Sequence, residues 1–112
     1  PVPPAELPWW NEPQLEFSVR EIAFDDRVRL QLPVDTRGAL VESAVPAGWA
    51  SLAGLRSDDV IERAGGALIT NLSELKQAWT DARDKDWWVL LVRRRGQTLF
   101  VEMNLKPTKS KS

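Results

Sequence analysis

The side chains in this sequence that are able to do chemistry are carboxylates and cations, and little else. Sixteen Asp and Glu stand against fifteen Lys and Arg, and the 112 residues contain neither histidine nor cysteine. Without imidazole there is no general base for a Ser-His-Asp or Cys-His nucleophile system. Without imidazole or thiolate the usual zinc ligands are missing as well. The acidic residues do not gather into a site. Asp25-Asp26 and Asp58-Asp59 are adjacent pairs at the starts of predicted elements, where Asp accepts backbone N–H groups. Arg93-Arg94-Arg95 lies on a predicted strand, so only some of the three share a face, and no aromatic platform accompanies them. A net charge of −1 and a pI near 5.5 are also wrong for holding a phosphate backbone. No catalytic residue, metal site or cofactor is therefore expected, nor a nucleic-acid partner.

The predicted elements are short. The stretch Leu15–Ile22 alternates apolar Leu15, Phe17 and Val19 with polar Glu16, Ser18 and Arg20, which predicts a half-buried strand. Asp25–Leu32 has Val28 and Leu32 at i, i+4, and Asp25 is placed to cap a short helical turn. Gly38 opens a second strand, Ala39–Ala44. Ala47–Leu55 reads as a short helix, with Trp49, Leu52 and Ala53 on one face and Gly54 as its left-handed stop. Asp59–Ala64 and Ala67–Ile69 read as strands joined by a Gly65-Gly66 turn.

The clearest helix is Leu72–Arg83. Asn71 precedes it as N-cap, and Glu74 three residues on completes a capping box. Leu75, Ala78 and Ala82 form one stripe, and Leu72, Lys76 and Trp79 a neighbouring one. Trp87–Arg93 and Thr98–Met103 form a final hairpin. In it Trp88 is in phase with Leu90 and Val92 and reads as core, leaving Trp87 exposed. Ile61, Leu75, Leu90 and Val101 are expected in one core. The fold class is α+β: a small, partly open barrel or sandwich of five to six strands, capped by a short and a long helix.

Residues 1–13 hold five of the eight prolines and read as an extended linker or arm, but Leu7, Trp9 and Trp10 are unfavourable to leave in water, so packing of the arm on the domain or on a partner is the alternative. Residues 14–105 form the domain, and residues 106–112 read as a disordered basic tail. The longest apolar run, Trp87 to Val92, is far below the ~20 residues of a membrane helix, so membrane insertion is not expected.

Five segments in register then resemble bacterial PDZ domains. Ala47–Leu55 is similar to the short-helix motif G-S-P-A-x-x-A-G-L, and Arg56–Ile61 to x-x-G-D-V-I. Ala64–Ile69 is similar to the hairpin V-N-G-x-x-V, Leu72–Leu75 to the start of the groove helix, and Val92–Gly96 to V-x-R-x-G. The element order resembles the permuted PDZ arrangement of HtrA/Deg serine proteases. The resemblance implies a peptide-binding module, regulatory or substrate-recruiting, attached to a trypsin-like protease of the periplasm or cell envelope, with possible oligomerisation through that parent.

It also implies where a peptide or protein segment would add as a strand. The accepting strand is Phe17-Ser18-Val19, and the helix wall is Leu72, Lys76 and Trp79. The loop Gln14-Leu15-Glu16-Phe17 would aim N–H groups at a ligand carboxylate. Three positions depart from the pattern. Glu16 and Asp58 stand where the resemblance has glycine, and Gly65 stands at the hairpin Asn. A carboxylate at Glu16 is expected to hinder an anionic ligand end, which favours internal segments. A competing expectation is a scaffold role, with the groove blocked or filled internally and Trp9, Trp10 and Trp87 in contact with another domain or subunit.

Overall fold

The computed structural model describes residues 9–105. Seven strands and three helices follow in the order β1 (Trp9–Glu12), β2 (Phe17–Glu21), α1 (Phe24–Arg29), β3 (Ala39–Ala44), α2 (Trp49–Ala53), β4 (Val60–Ala64), β5 (Ala67–Leu68), α3 (Leu72–Ala82), β6 (Trp87–Arg94) and β7 (Gln97–Asn104). One antiparallel sheet runs β1-β2-β3-β4-β6-β7, with β5 paired to β4 and no closure between the end strands. The fold is of the expected α+β class, with one strand more than the five to six expected, and the helical turn expected at Asp25–Leu32 is α1.

Period-2 alternation decides which strand faces are buried. Phe17 and Val19 of β2 are inside. Trp88, Leu90 and Val92 of β6 are inside opposite Met103, Val101 and Leu99 of β7. Trp88 is 2 % exposed and Trp87 53 %, the division that the alternation predicts. Ile61, Leu75, Leu90 and Val101 do share one core. α3 begins at Asn71, whose side chain accepts the Glu74 N–H at 2.9 Å as expected, but the Glu74 carboxylate accepts from the Thr70 N–H at 2.7 Å, one residue before the N-cap, so the expected box does not close on Asn71. Its apolar stripe puts Leu72, Leu75, Trp79 and Ala82 inside. Leu75→Ala is expected to lower stability by about 2–5 kcal/mol, the usual loss for a fully buried leucine. A loss below about 1 kcal/mol in urea denaturation would mean that this face does not carry the core.

α1 is anchored by polar groups and not by the expected apolar pair. Its N-cap is Ala23, not Asp25, and Val28 is 61 % exposed. The buried Asp26 carboxylate accepts from the Ala23 N–H at 2.8 Å, from Arg20 twice at 2.6 and 2.9 Å, and from Arg29 at 3.0 Å. Burial pushes the Asp26 pKa up, but the hydrogen bonds from Arg20, Ala23 and Arg29 outweigh it and hold the pKa below its ordinary value. A carboxylate with a depressed folded pKa stabilises the fold above its unfolded pKa, and that contribution is lost as pH falls through the folded value. Asp26→Asn should therefore lose on the order of 2 kcal/mol at pH 7. It should also show a shallower loss of stability than wild type on acidification below about pH 4. Parallel acid-unfolding curves would contradict this assignment.

Two arginines of the run are engaged within the domain, and Arg95 is exposed at the hairpin turn. Arg93 donates to Glu62 at 2.7 Å, and Arg94 grips the fully buried Asp59 with two bonds of 2.7 Å while also bonding the Gly54 carbonyl. No helix among the described residues is long and apolar enough to cross a membrane.

Candidate peptide-binding groove

A strand has two hydrogen-bonding edges. One edge of β2 pairs with β3, bringing Val19 opposite Val41 and Phe17 opposite Ala44. The other edge, where a docking segment would add, is lined by β1. Pairing is antiparallel with Trp9 opposite Arg20, Trp10 opposite Val19, Asn11 opposite Ser18 and Glu12 opposite Phe17. Alternation turns Trp10 and Glu12 inward and Trp9 and Asn11 outward, and the burial pattern follows it. Trp10 packs edge-on against Phe17, with ring centroids 6.0 Å apart and planes at 67°. The Ser18 hydroxyl donates to Asn11 Oδ1 at 3.0 Å.

The residues expected at the accepting strand and loop lie in β2 and in the turn before it. Leu15, Phe17 and Val19 are buried, Ser18 is half-buried at the β1 contact, and Glu16 sits in the turn. The turn amides of Gln14 and Glu16 both bond Glu12, one its carboxylate and the other its carbonyl. The Gln14 N–H donates to Glu12 Oε2 at 2.8 Å, and the Glu16 N–H donates to the Glu12 carbonyl at 2.8 Å. β1, and Glu12 above all, is the part of this site that sequence reasoning missed. The inward-outward alternation of Trp9 to Glu12 was a signal, but it spans four residues and is masked by proline on both sides.

Glu16 takes a backbone φ of +62°, the left-handed region that glycine enters freely. The same holds at Asp58, with φ +74°. The backbone shape is retained, although the residue type departs from the PDZ pattern. A non-glycine residue there loses roughly 1 kcal/mol or more, and Glu16 has offsetting bonds. Its side chain accepts the Trp49 N–H at 3.2 Å, and its carbonyl accepts the Val45 N–H at 2.9 Å. Gly48 makes this approach possible, because a Cβ there would lie 2.8 Å from Glu16 Oε1. The Glu16 carboxylate thus bonds the start of α2 and is already engaged. Glu16→Gly removes strain and one hydrogen bond together, so stability should change by less than about 1 kcal/mol. Peptide affinity should change by less than about threefold. A gain of tenfold or more for carboxylate-ended peptides on this substitution would restore charge repulsion as the role of Glu16.

The helix wall is less open than its spacing suggests. Leu72 is 2 % exposed and Trp79 4 %. Trp79 lies against Trp88, centroids 5.1 Å apart. Lys76 is exposed. The Leu72 N–H donates to Glu21 Oε2 at 3.0 Å, which ties the first turn of α3 to the end of β2. Of the three, Lys76 is the side chain free to meet a ligand.

No protein-family model matches the sequence, and no curated protein does. Solved structures do match in fold. The PDZ domain of HtrA3, bound to a phage-derived ligand FGRWV, superposes with a TM-score of 0.64 at 21 % identity, over 80 % of this chain and 81 % of that one. The HtrA-type protease AlgW, with a decapeptide, gives 0.65 at 22 % identity over 88 % of this chain; the match spans 29 % of that longer protein. The PDZ domain of EpsC from Vibrio cholerae gives 0.58 at 17 % identity, over 83 % of this chain and 98 % of that one.

Proposed function

From the premise of a PDZ fold, we propose that this domain is a peptide-docking module that takes extended segments as an added strand along β2. The observation that carries the reading is that this edge already holds an extended strand, antiparallel and in register over four residue pairs. Main-chain bonds supply affinity in such a site, and alternate side chains supply specificity. Phe17 and Val19 form the floor, Ser18 the polar edge contact, and Lys76 the outer rim. The amides of Gln14 and Glu16 receive an acceptor oxygen from the ligand. Leu15, Leu72 and Trp79 support these groups from the core. Glu16 acts as a turn residue that fastens the loop to α2.

The two HtrA-type neighbours, one with a phage-derived peptide ligand and one with a decapeptide, support the same reading. A regulatory or substrate-recruiting role within an HtrA-like protease of the cell envelope goes with it. A trypsin-like Ser-His-Asp set upstream in the parent protein would establish that context. The direct test is titration of the domain with fluorescent peptides in acid and amide forms. Saturable binding in which the two forms agree within about threefold is expected, and it should be insensitive to Arg95→Ala at the distant hairpin turn. Equal losses from Arg95→Ala and from Phe17→Ala would move the binding surface away from β2.

A second reading is favoured by a separate feature. Trp87 is half exposed beside a depression of about 290 Å³ lined by Trp49, Leu52, Ala53 and Met103. Exposed tryptophan in an apolar setting often marks a protein contact. A scaffold role through this face would appear as mass that grows with concentration and falls back in Trp87→Ser. It would leave peptide titrations flat.

A further inference from the structure

We propose that β1 is a resident pseudo-ligand: Trp9–Glu12 fills the peptide edge of β2, and external segments bind by displacing it. The inference rests on the peptide-docking reading above and specifies how that site is regulated and what it selects.

Three observations converge on it. β1 uses the one edge of β2 that the rest of the sheet leaves free. Trp10 supplies an aromatic anchor on Phe17. Two residues on, Glu12 delivers both a side-chain carboxylate oxygen and a carbonyl oxygen to the turn amides of Gln14 and Glu16. These are the contacts that a docked segment needs, made in cis. The connection is short, since the turn spans only residues 13–16, so the arm is held at high effective concentration. It is also small: four residues with Trp9 59 % exposed leave it displaceable. An external ligand meets an apparent affinity reduced by the fraction of molecules whose edge is open.

The occupant also indicates ligand class. A competing segment carries an aromatic side chain in register with Trp10 and a carboxylate two residues later in register with Glu12. Because the chain runs on through Pro13, that carboxylate belongs to an internal Glu or Asp and no chain end is needed.

The test uses the full chain, which contains no cysteine of its own. Asn11 and Ser18 are directly opposite, and their side chains touch. Opposed residues in an antiparallel pair lie about 4.5–5.5 Å apart, within reach of a disulfide. The double variant Asn11→Cys/Ser18→Cys therefore locks β1 when oxidised and frees it when reduced. The probe is a fluorescein-labelled peptide of residues 6–14 with both ends blocked, read by polarisation. The reduced lock should bind the probe at least roughly tenfold more tightly than the oxidised one. Trp10→Ala, with the anchor removed, should bind at least roughly tenfold more tightly than wild type. Changing Glu12 of the probe to Gln should cut affinity, and a second probe ending in a free carboxylate at the Glu12 position should bind within about threefold of the blocked one.

Equal affinity of oxidised and reduced forms overturns the pseudo-ligand while leaving peptide docking intact. Absence of binding in every form, including reduced lock and Trp10→Ala, overturns the docking reading itself. A tenfold preference for the free-ended probe overturns the internal-segment assignment. If Trp10→Ala fails to fold, the redox comparison alone decides.

Discussion

Trp79→Ala is expected to destabilise the domain by about 3–5 kcal/mol, the range for truncating a buried large aromatic. The indole is 4 % exposed and packs on Trp88, which is itself 2 % exposed. Removing it opens a cavity between α3 and the sheet that neither the helix backbone nor Trp88 is free to fill. For a domain of this size such a loss corresponds to a fall in Tm of more than about 10 °C. It is also a large share of the total stability of a small domain, which is usually about 5–15 kcal/mol. A peptide-binding defect in this variant would therefore not by itself place Trp79 in the groove. Trp79→Phe keeps most of the packing and is the variant to titrate. It should retain peptide affinity within about threefold if Trp79 serves only as support. Thermal melts of both variants check the expectation, and a Trp79→Ala domain melting within about 3 °C of wild type would contradict it.

Gly38→Ala should be at least as damaging. Gly38 has φ +143°, where side chains are rarely accommodated, and a Cβ there would collide with the Ile61 carbonyl oxygen and lie 3.2 Å from Val60 Cγ1. The obstacle is backbone of the neighbouring strand, so no side-chain rotation relieves it. β3 and β4 share only two paired positions, Ala39 with Ile61 and Leu40 with Val60, and both lie beside the clash. The strand entry must shift and weaken the joint between the two halves of the sheet. A loss of about 4 kcal/mol or more is expected, beyond the range of ordinary point substitutions. The readouts are soluble yield, near-UV dichroism and the urea midpoint. A midpoint within about 0.3 M of wild type would show that the strands part without penalty.

These two expectations differ in how far the sequence alone reaches. Trp79 sits on a helix whose N-cap and apolar stripe are local, but that spacing serves a groove wall and a core position equally, and the contact with Trp88 decides for the core. The phase of β6 and β7 is equally local, which is why Trp88 and Trp87 separate correctly into core and surface. Gly38 is another matter. Glycine before a strand has many uses, and only the approach of the Ile61 carbonyl gives this one its reason. The α1 segment shows the opposite failure. Val28 and Leu32 have helical spacing, but what fixes the turn is Asp26, bound to Arg20 on β2, a partner that periodicity does not reveal. Residues 1–8 and 106–112, read from sequence as part of an arm and a basic tail, lie outside the described residues.

The sequence by itself determined the α3 helix and its cap, the phase of each longer strand, the common core of Ile61, Leu75, Leu90 and Val101, and the lack of imidazole and thiol chemistry. All of these follow from residue types or from patterns that repeat every two or 3.6 residues. Tertiary structure decided that Glu16 turns its carboxylate to the Trp49 N–H and away from the loop amides. It decided that Asp59 is sealed by Arg94, and above all that Trp9–Glu12 lies along β2. Strand pairing is made by backbone groups that every residue carries, so composition does not say which segment claims a given edge. That choice is settled in space, by the short turn at residues 13–16, the Trp10–Phe17 contact and the two turn amides that meet Glu12.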